Sequence, residues 1–280
     1  IYLSQEAYLN QVLERYGMAG AHPVSTPLAV GNILSASQSP QSPDDVCKYK
    51  EYSNKIHYLS LIGSLLYAMQ TQLDIQFMVG QVAQFGGNPG IPHLQAAKHI
   101  LRYLKGTLEL KLVLDHRGGK AFDLVGWTDS NWAQDPDSRH SIRGFVFEIA
   151  GSLVSWSLKK QPTMAMSSVE AEYMASSNAM KEAIWLRTLL GELDYLQVAA
   201  TIIHTDNQGC IALAHNPVNH SCTKHINIKH HFIHERVKHS EIELRYILMK
   251  EMLVDIFTKQ VPCEAFIKFR ERLGVILIAH

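Results

Sequence analysis

Through the first 120 residues, apolar positions recur at helical spacing, and from about residue 121 they recur at every second position instead. In SQEAYLNQVLERYG, Leu9, Val12 and Leu13 share one face, Ser4 stands where an N-cap would, and Gly17 stands where a helix stops. HPVSTPL is extended by its two prolines, and residues 35–46 (SASQSPQSPDDV) have the polar, proline-broken composition of a loop. A second helix is predicted over 52–68, with Ile56, Leu59, Ile62, Leu65 and Leu66 apolar on one side, and a third over 74–85. GGNPGIP breaks the chain before a helix from Pro92 to Gly106.

Beyond residue 121, strands are predicted near 122–129, 142–150 and 152–159. The turns between them (DPDSRHS and AGS) are short enough for an antiparallel meander. In the first strand Asp123, Val125 and Trp127 alternate with Leu124, Gly126 and Thr128, which reads as half-buried. A long helix follows over 168–190. Then come a strand at 199–205, helices at 207–215 and 227–239, a strand at 242–248, and helices near 252–259 and 263–273. Antiparallel strands followed by alternating helix and strand make an α/β (α+β) fold, a mixed sheet with helices packed on it.

A chain of 280 residues with 46% hydrophobic and 19% charged positions has enough apolar sequence for one large or two ordinary domains. Its formal net charge of zero argues against tight non-specific nucleic-acid binding by bulk charge but leaves room for a local basic track. Cys47, Cys210, Cys222 and Cys263 form no C-x-x-C pair, which argues against a disulfide framework or thiolate zinc site and suits a reducing compartment. No apolar run approaches the roughly 18 residues of a membrane span. The chain opens on Ile1 with no charged-then-apolar leader, so a cut from a longer polypeptide is expected.

Against this frame four acids stand out. Asp129 lies near the end of the strand VGWTDSN, Glu172 lies on the long helix, Asp206 follows the strand TIIHT, and Asp255 sits in EMLVDIFTK. Brought together, they would suit Mg²⁺, a hard cation that takes oxygen ligands and keeps some of its waters. Each acid also has an ordinary alternative: a turn residue for Asp129, a helix N-cap for Asp206, a buried salt bridge with Lys259 for Asp255. Ser167 and Glu170 have capping-box spacing, which gives Glu170 a local job. Glu172, roughly 200° further around a helix that turns about 100° per residue, borders the buried stripe and has no such job. Lys98, Arg102 and Lys105 line one helix face, either solvated or a phosphate track. His230 and His234, in a late run of histidines, have the spacing to share zinc. No third ligand stands at fixed spacing, so packed or surface histidine is the preferred reading.

The segments GWTDSNWAQDPDSRHS, SSVEAEYMA, HTDNQGCIALAHNPV, TKHINIKHHFIHERV and EMLVDIFTK, in that order, resemble the ribonuclease H domain of copia-type LTR retrotransposons. Upstream, YLSLIGSLLYAMQTQLDIQFMVGQVAQF and HLQAAKHILRYLKGT resemble the C-terminal end of the same elements' reverse transcriptase. The resemblance implies a mainly helical thumb/connection-like remnant over 1–120 with the palm missing, a ribonuclease H domain over 121–262, and a C-terminal helix and tail over 263–280. The second of these would be a ribonuclease H-like five-stranded mixed sheet flanked by helices. Asp44-Asp45 lacks apolar strand flanks, so no polymerase centre is expected.

What the resemblance implies for activity is hydrolysis of the RNA strand of an RNA–DNA hybrid by two Mg²⁺ ions about 4 Å apart, with Mn²⁺ as a substitute. Asp129 would bridge the ions, and Glu172, Asp206 and Asp255 would complete their shells. Lys159, Lys160, Lys224 and Lys229 join the basic helix face as candidate phosphate contacts. The implied partners are the hybrid and the rest of the Pol polyprotein (palm, fingers and integrase), in the cytoplasm or within virus-like particles. The family's usual Thr-Arg-Pro-Asp is Thr71-Gln72-Leu73-Asp74 here, and its Ser-Thr-Ser-Gly turn is Ser141-Ile142-Arg143-Gly144, departures that bear on substrate grip. Two other functions compete. A decayed copy would be an inactive hybrid-binding or assembly fragment. An integrase-like transferase would need its glutamate after the second aspartate, whereas here the glutamate comes second.

Overall fold

The computed structural model describes residues 1–28, 31–54, 56–115, 122–215 and 227–278, and the chain folds as two units, Ile1–Val113 with Lys259–His280, and Leu114–Thr258. The first unit is mainly helical: α1 (Glu6–Arg15), α2 (Pro43–Ser53), α3 (Tyr58–Ala68), α4 (Gln76–Ala83), α5 (Ile91–Gly106) and α10 (Cys263–Arg272). The apolar faces expected of α1 and α5 are buried, with Leu9, Val12 and Leu13 on one and Leu94, Ala97, Ile100, Leu101 and Leu104 on the other.

Three features of this unit differ from the sequence expectation. Residues 43–46, expected to belong to a loop, open the helix α2, which runs on to Ser53. The Ser42 hydroxyl accepts from the Asp45 N–H, the Asp45 carboxylate accepts from the Ser42 N–H at 3.1 Å, and Pro43 occupies the first helical turn. That is a capping box with a preformed φ, and it outweighs the polar composition of the segment. The helix expected over 52–68 is broken at Asn54, which adopts a left-handed conformation with φ 45°, so α2 and α3 are separate. Residues 263–280, set apart above as a helix and tail, lie within the first unit. After a turn at Gly274 (φ 91°), β8 (Val275–Leu277) pairs antiparallel with β2 (Leu110–Val113), whose other neighbour is β1 (Tyr2–Leu3). A short apolar run has little periodicity to reveal it, and an available sheet edge decides its state.

In the second unit the five-stranded mixed sheet flanked by helices is present, in the order β5-β4-β3-β6-β7. β3 (Leu124–Asn131), β4 (Ile142–Ile149) and β5 (Ser152–Lys160) form the antiparallel meander, and β6 (Thr201–Thr205) and β7 (Ile242–Tyr246) run parallel to β3. Helix α6 (Ser168–Glu192) packs on β3, β4 and β6 and touches α7 (Gln208–His215) and α8 (Asn227–Lys238). Its inner face is built of small residues (Ala171, Ala175, Ser176, Ala179, Ala183), so the helix can lie close to the sheet. Leu124, Phe147, Met180, Leu186, Ile203, Ile233 and Leu244 make the core between them. β3 is the central strand and is buried from Gly126 to Ser130, so its alternation does not mark a solvent face as the sequence suggested. At Gly126 a Cβ would stand 2.4 Å from the Phe147 ring, which is why that cross-strand position has none.

Candidate active site

The parallel pairing of β3 with β6 sets Val125 opposite Ile202, Gly126 opposite Ile203 and Trp127 opposite His204. Two residues further along the same register, Asp129 comes level with Asp206, at the carboxyl ends of adjacent parallel strands. The chain leaves β3 toward β4 on one side and has β6 on the other, and such a reversal of strand order is where open sheets collect ligands. Glu172 enters from the second turn of α6, held there because its Oε1 accepts the N–H of Ser130 at 3.0 Å. One carboxylate oxygen each from Asp129, Glu172 and Asp206 lies within 4.8 Å of the other two. Asp129 and Glu172 are 3% and 4% exposed, and Asp206 is half-buried.

Three carboxylates at this spacing repel one another by on the order of 3 kcal/mol per pair at an effective dielectric near 20. A proton or cation must offset that repulsion, and an all-oxygen donor set of this size suits a hard divalent ion. The residues therefore fit the magnesium that the sequence implied.

Local structure frees Asp206 and Asp129 from the ordinary roles of cap and turn residue. Asn207, not Asp206, caps α7, with its Oδ1 accepting the Cys210 N–H at 2.9 Å. Glu170 accepts the Met166 N–H at 2.8 Å, while Ser167 Oγ caps its N–H. Asp129 is a strand residue rather than part of a turn. Asp255 is buried at the start of α9 (Asp255–Thr258) and stands outside the trio; α9 packs on β3 and β4, and its Thr258 hydroxyl donates to Asp129 Oδ2. The helix expected over 252–259 is thus a single turn.

Gln161 and Thr258 belong to this site and were not singled out by the sequence. Buried Gln161 donates from Nε2 to Ser130 Oγ at 3.2 Å and to the Ala171 carbonyl at 3.0 Å, tying the end of β3 to the first turn of α6. Neither residue carries a sequence signal beyond being polar next to a predicted acid or strand end.

The predicted basic residues are dispersed. In the first unit Lys98 lies 4.7 Å over the Tyr52 ring, Arg102 Nε donates to the His22 carbonyl at 2.8 Å, and Lys105 is half-buried. In the second, Lys159 is exposed beside Arg143 in the β4–β5 register, whereas Lys160 forms an ion pair with buried Asp135. Half-buried Lys229 has its pKa lowered first by burial and then by the charges of Arg143 and Lys181, with Glu170 opposing. Lys224 lies outside the described residues, as do His220, His225 and the side chain of His230, so the zinc pair cannot be placed. His234 Nδ1 donates to the Ala214 carbonyl at 3.3 Å, and His204 stacks on Trp127. Among the described residues, the acidic trio is the one group with metal-ligand geometry.

Fold and site together define an α/β protein with a carboxylate cluster at a sheet rim, of the kind that holds hard cations. No protein-family model matches the chain. It is 40% identical over 276 residues to the retrovirus-related Pol polyprotein from transposon TNT 1-94 of Nicotiana tabacum, covering 98% of this chain and 20% of that protein. To the retrovirus-related Pol polyprotein from transposon RE1 of Arabidopsis thaliana it is 35% identical over 275 residues, covering 98% of this chain and 18% of that one. Among solved structures, LC11-RNase H1 in complex with an RNA/DNA hybrid aligns at 16% identity and a TM-score of 0.34, over 46% of this chain and 88% of that one. The chain belongs to the retrovirus-related Pol polyproteins of copia-type transposons. It spans about a fifth of the length of these relatives.

Proposed function

We propose that the second unit is a ribonuclease H, a Mg²⁺-dependent endonuclease that hydrolyses the RNA strand of RNA–DNA hybrids made during retrotransposon reverse transcription. The single observation that carries the reading is the convergence of Asp129, Glu172 and Asp206 within 4.8 Å. Asp129, Glu172 and Asp206 would hold the metal, with Asp255 as the fourth acid, supplied by the helix whose Thr258 bonds Asp129. Two Mg²⁺ ions, when bound, supply the positive charge for in-line displacement at phosphorus, and Mn²⁺ can take their place. Asp129 would offer its carboxylate to the metal from the central strand. Burial of Asp129 and Glu172 keeps bulk water from competing for the carboxylates.

The hybrid as substrate is supported by membership of the Pol polyprotein family. Its 2′-hydroxyls, displayed in a wide minor groove, distinguish the RNA strand. Arg143, Lys159, Lys181 and Lys229 are the proposed phosphate contacts in this unit, with Lys98, Arg102 and Lys105 as a second basic group in the first. The remainder of the polyprotein, including the polymerase palm and fingers and the integrase, is the proposed partner, in the cytoplasm or in virus-like particles. No helix among the described residues is long and apolar enough to cross a membrane.

The test is cleavage of a labelled RNA–DNA hybrid by the 280-residue chain. Wild type should cut the RNA strand with Mg²⁺ or Mn²⁺ and stop on chelation, and Asp129→Asn should lose at least about a hundredfold in rate, as expected when an essential metal ligand is removed. Folded wild-type protein that binds the hybrid but leaves it intact would establish the non-catalytic assembly role instead.

A further inference from the structure

Thr258 is fully buried at the end of α9, and three separate contacts hold it over Asp129. Its hydroxyl donates to Asp129 Oδ2, with a longer 3.4 Å contact to the Val254 carbonyl of its own helix. Its carbonyl faces the Asn131 side-chain amide at 3.5 Å, two residues beyond Asp129 on the same strand. Its methyl lies against Gly144, which the sheet register places directly opposite Asp129. A Cβ at Gly144 would stand 3.1 Å from the Thr258 methyl and 2.8 Å from Val254 Cγ1. With no side chain at Gly144, α9 sits close over β4 and the hydroxyl reaches the carboxylate; a larger residue there would push Val254 and Thr258 outward.

An aspartate's terminal torsion is broad and shallow, so packing of the strand does not by itself fix where the two oxygens point. In a cluster of three acids that repel one another, Asp129 would rotate to separate the charges. A donor on one oxygen opposes that rotation and takes up part of the negative charge. We propose that Thr258 is a positioning residue for Asp129: its hydroxyl, seated by Gly144, holds the Asp129 carboxylate in the orientation that completes the trio with Glu172 and Asp206. This rests on the metal-binding reading above, and it gives the threonine of the DIFTK segment a task distinct from that of Asp255, three residues earlier.

The test compares Thr258→Val, which keeps the shape and removes the hydroxyl, with Thr258→Ser, which keeps the hydroxyl, in the full chain. Mn²⁺ affinity is read by electron paramagnetic resonance titration without substrate, alongside hybrid cleavage and the thermal midpoint. Thr258→Val should weaken Mn²⁺ binding and lower kcat by about tenfold or more with KM for the hybrid unchanged, the usual cost of losing an outer-shell partner of a metal ligand. Thr258→Ser should stay within about threefold of wild type in both, below the tenfold floor for losing such a partner. Equal Mn²⁺ affinity in wild type and Thr258→Val would overturn the proposal, as would parallel losses in both variants that track their thermal midpoints. So would a wild type that binds no Mn²⁺. A wild type that binds Mn²⁺ but does not cleave sinks the hydrolase reading alone, and the ratio between the two variants still decides the role of Thr258.

Discussion

Asp206 and Asn207 divide two tasks that sequence alone could have given to either. The asparagine satisfies the first turn of α7, which releases the aspartate beside it for the cluster. Asn207→Ala should therefore cost about 1 kcal/mol, the worth of an N-cap, and leave Mn²⁺ affinity unchanged in a titration. Asp206→Asn should do the reverse. Removing one of three crowded charges should leave the metal-free protein at least as stable as wild type. It should also abolish the rise in thermal midpoint that millimolar Mg²⁺ or Mn²⁺ gives wild type, since an ion that binds only the folded state stabilises it by mass action. The same division separates Glu170 from Glu172, two neighbours of which one serves the helix end and the other the site. Here the sequence was legible, because capping spacing is local and leaves one glutamate over.

Among the helices, α10 is fastened to α5 and to the turn at Leu73–Ile75 through buried polar groups. The Tyr103 hydroxyl donates to Asp74 Oδ2, and Arg270 donates to the Tyr103 oxygen at 3.3 Å. Burial raises the Asp74 pKa above its ordinary value, outweighing the Tyr103 hydrogen bond and the Arg270 charge that pull it down. The folded state then binds more protons than the unfolded chain at pH values above about 4, where an unfolded aspartate ionises, so this group's contribution to stability falls as pH rises from there toward the folded pKa. Asp74→Asn keeps an acceptor for Tyr103 and cannot ionise. Thermal midpoints measured across that range should decline less steeply for Asp74→Asn than for wild type. The capping box of α2 makes a simpler case. Ser42→Ala should lose about 1 kcal/mol, measurable by denaturant titration, because the Asp45 N–H loses its hydroxyl acceptor while the Ser42 N–H keeps the Asp45 carboxylate. That box was visible as S-P-D-D, but the run of polar residues around it reads as a loop when composition is weighed over capping chemistry.

Across the whole chain, the first unit is assembled from both ends of the sequence, with the second unit's residues between them. β8 completes a sheet with β2, and Arg270 completes the buried network, so removing residues 259–280 should destabilise the first unit specifically. Hydrogen exchange should show protection lost over α1, α3 and α5 and retained in the core strands β3 and β6. Equal loss in both units would mean that they do not fold separately. The sequence by itself determined the helical first part, the antiparallel meander and the long helix, and it singled out Asp129, Glu172 and Asp206, which the fold brings together, because periodicity, caps and strand-end acids are local patterns. It did not reveal β1, β2 and β8, Thr258, Gln161, or the fate of the basic residues, of which Lys160 is paired with Asp135 and Arg102 with a backbone carbonyl. These depend on which surfaces meet. A two-residue strand exists only where another edge awaits it, and the Thr258 hydroxyl meets Asp129 where a glycine 114 positions away leaves room for its helix. Partners so distant along the chain are chosen by packing, and packing leaves no periodicity to read.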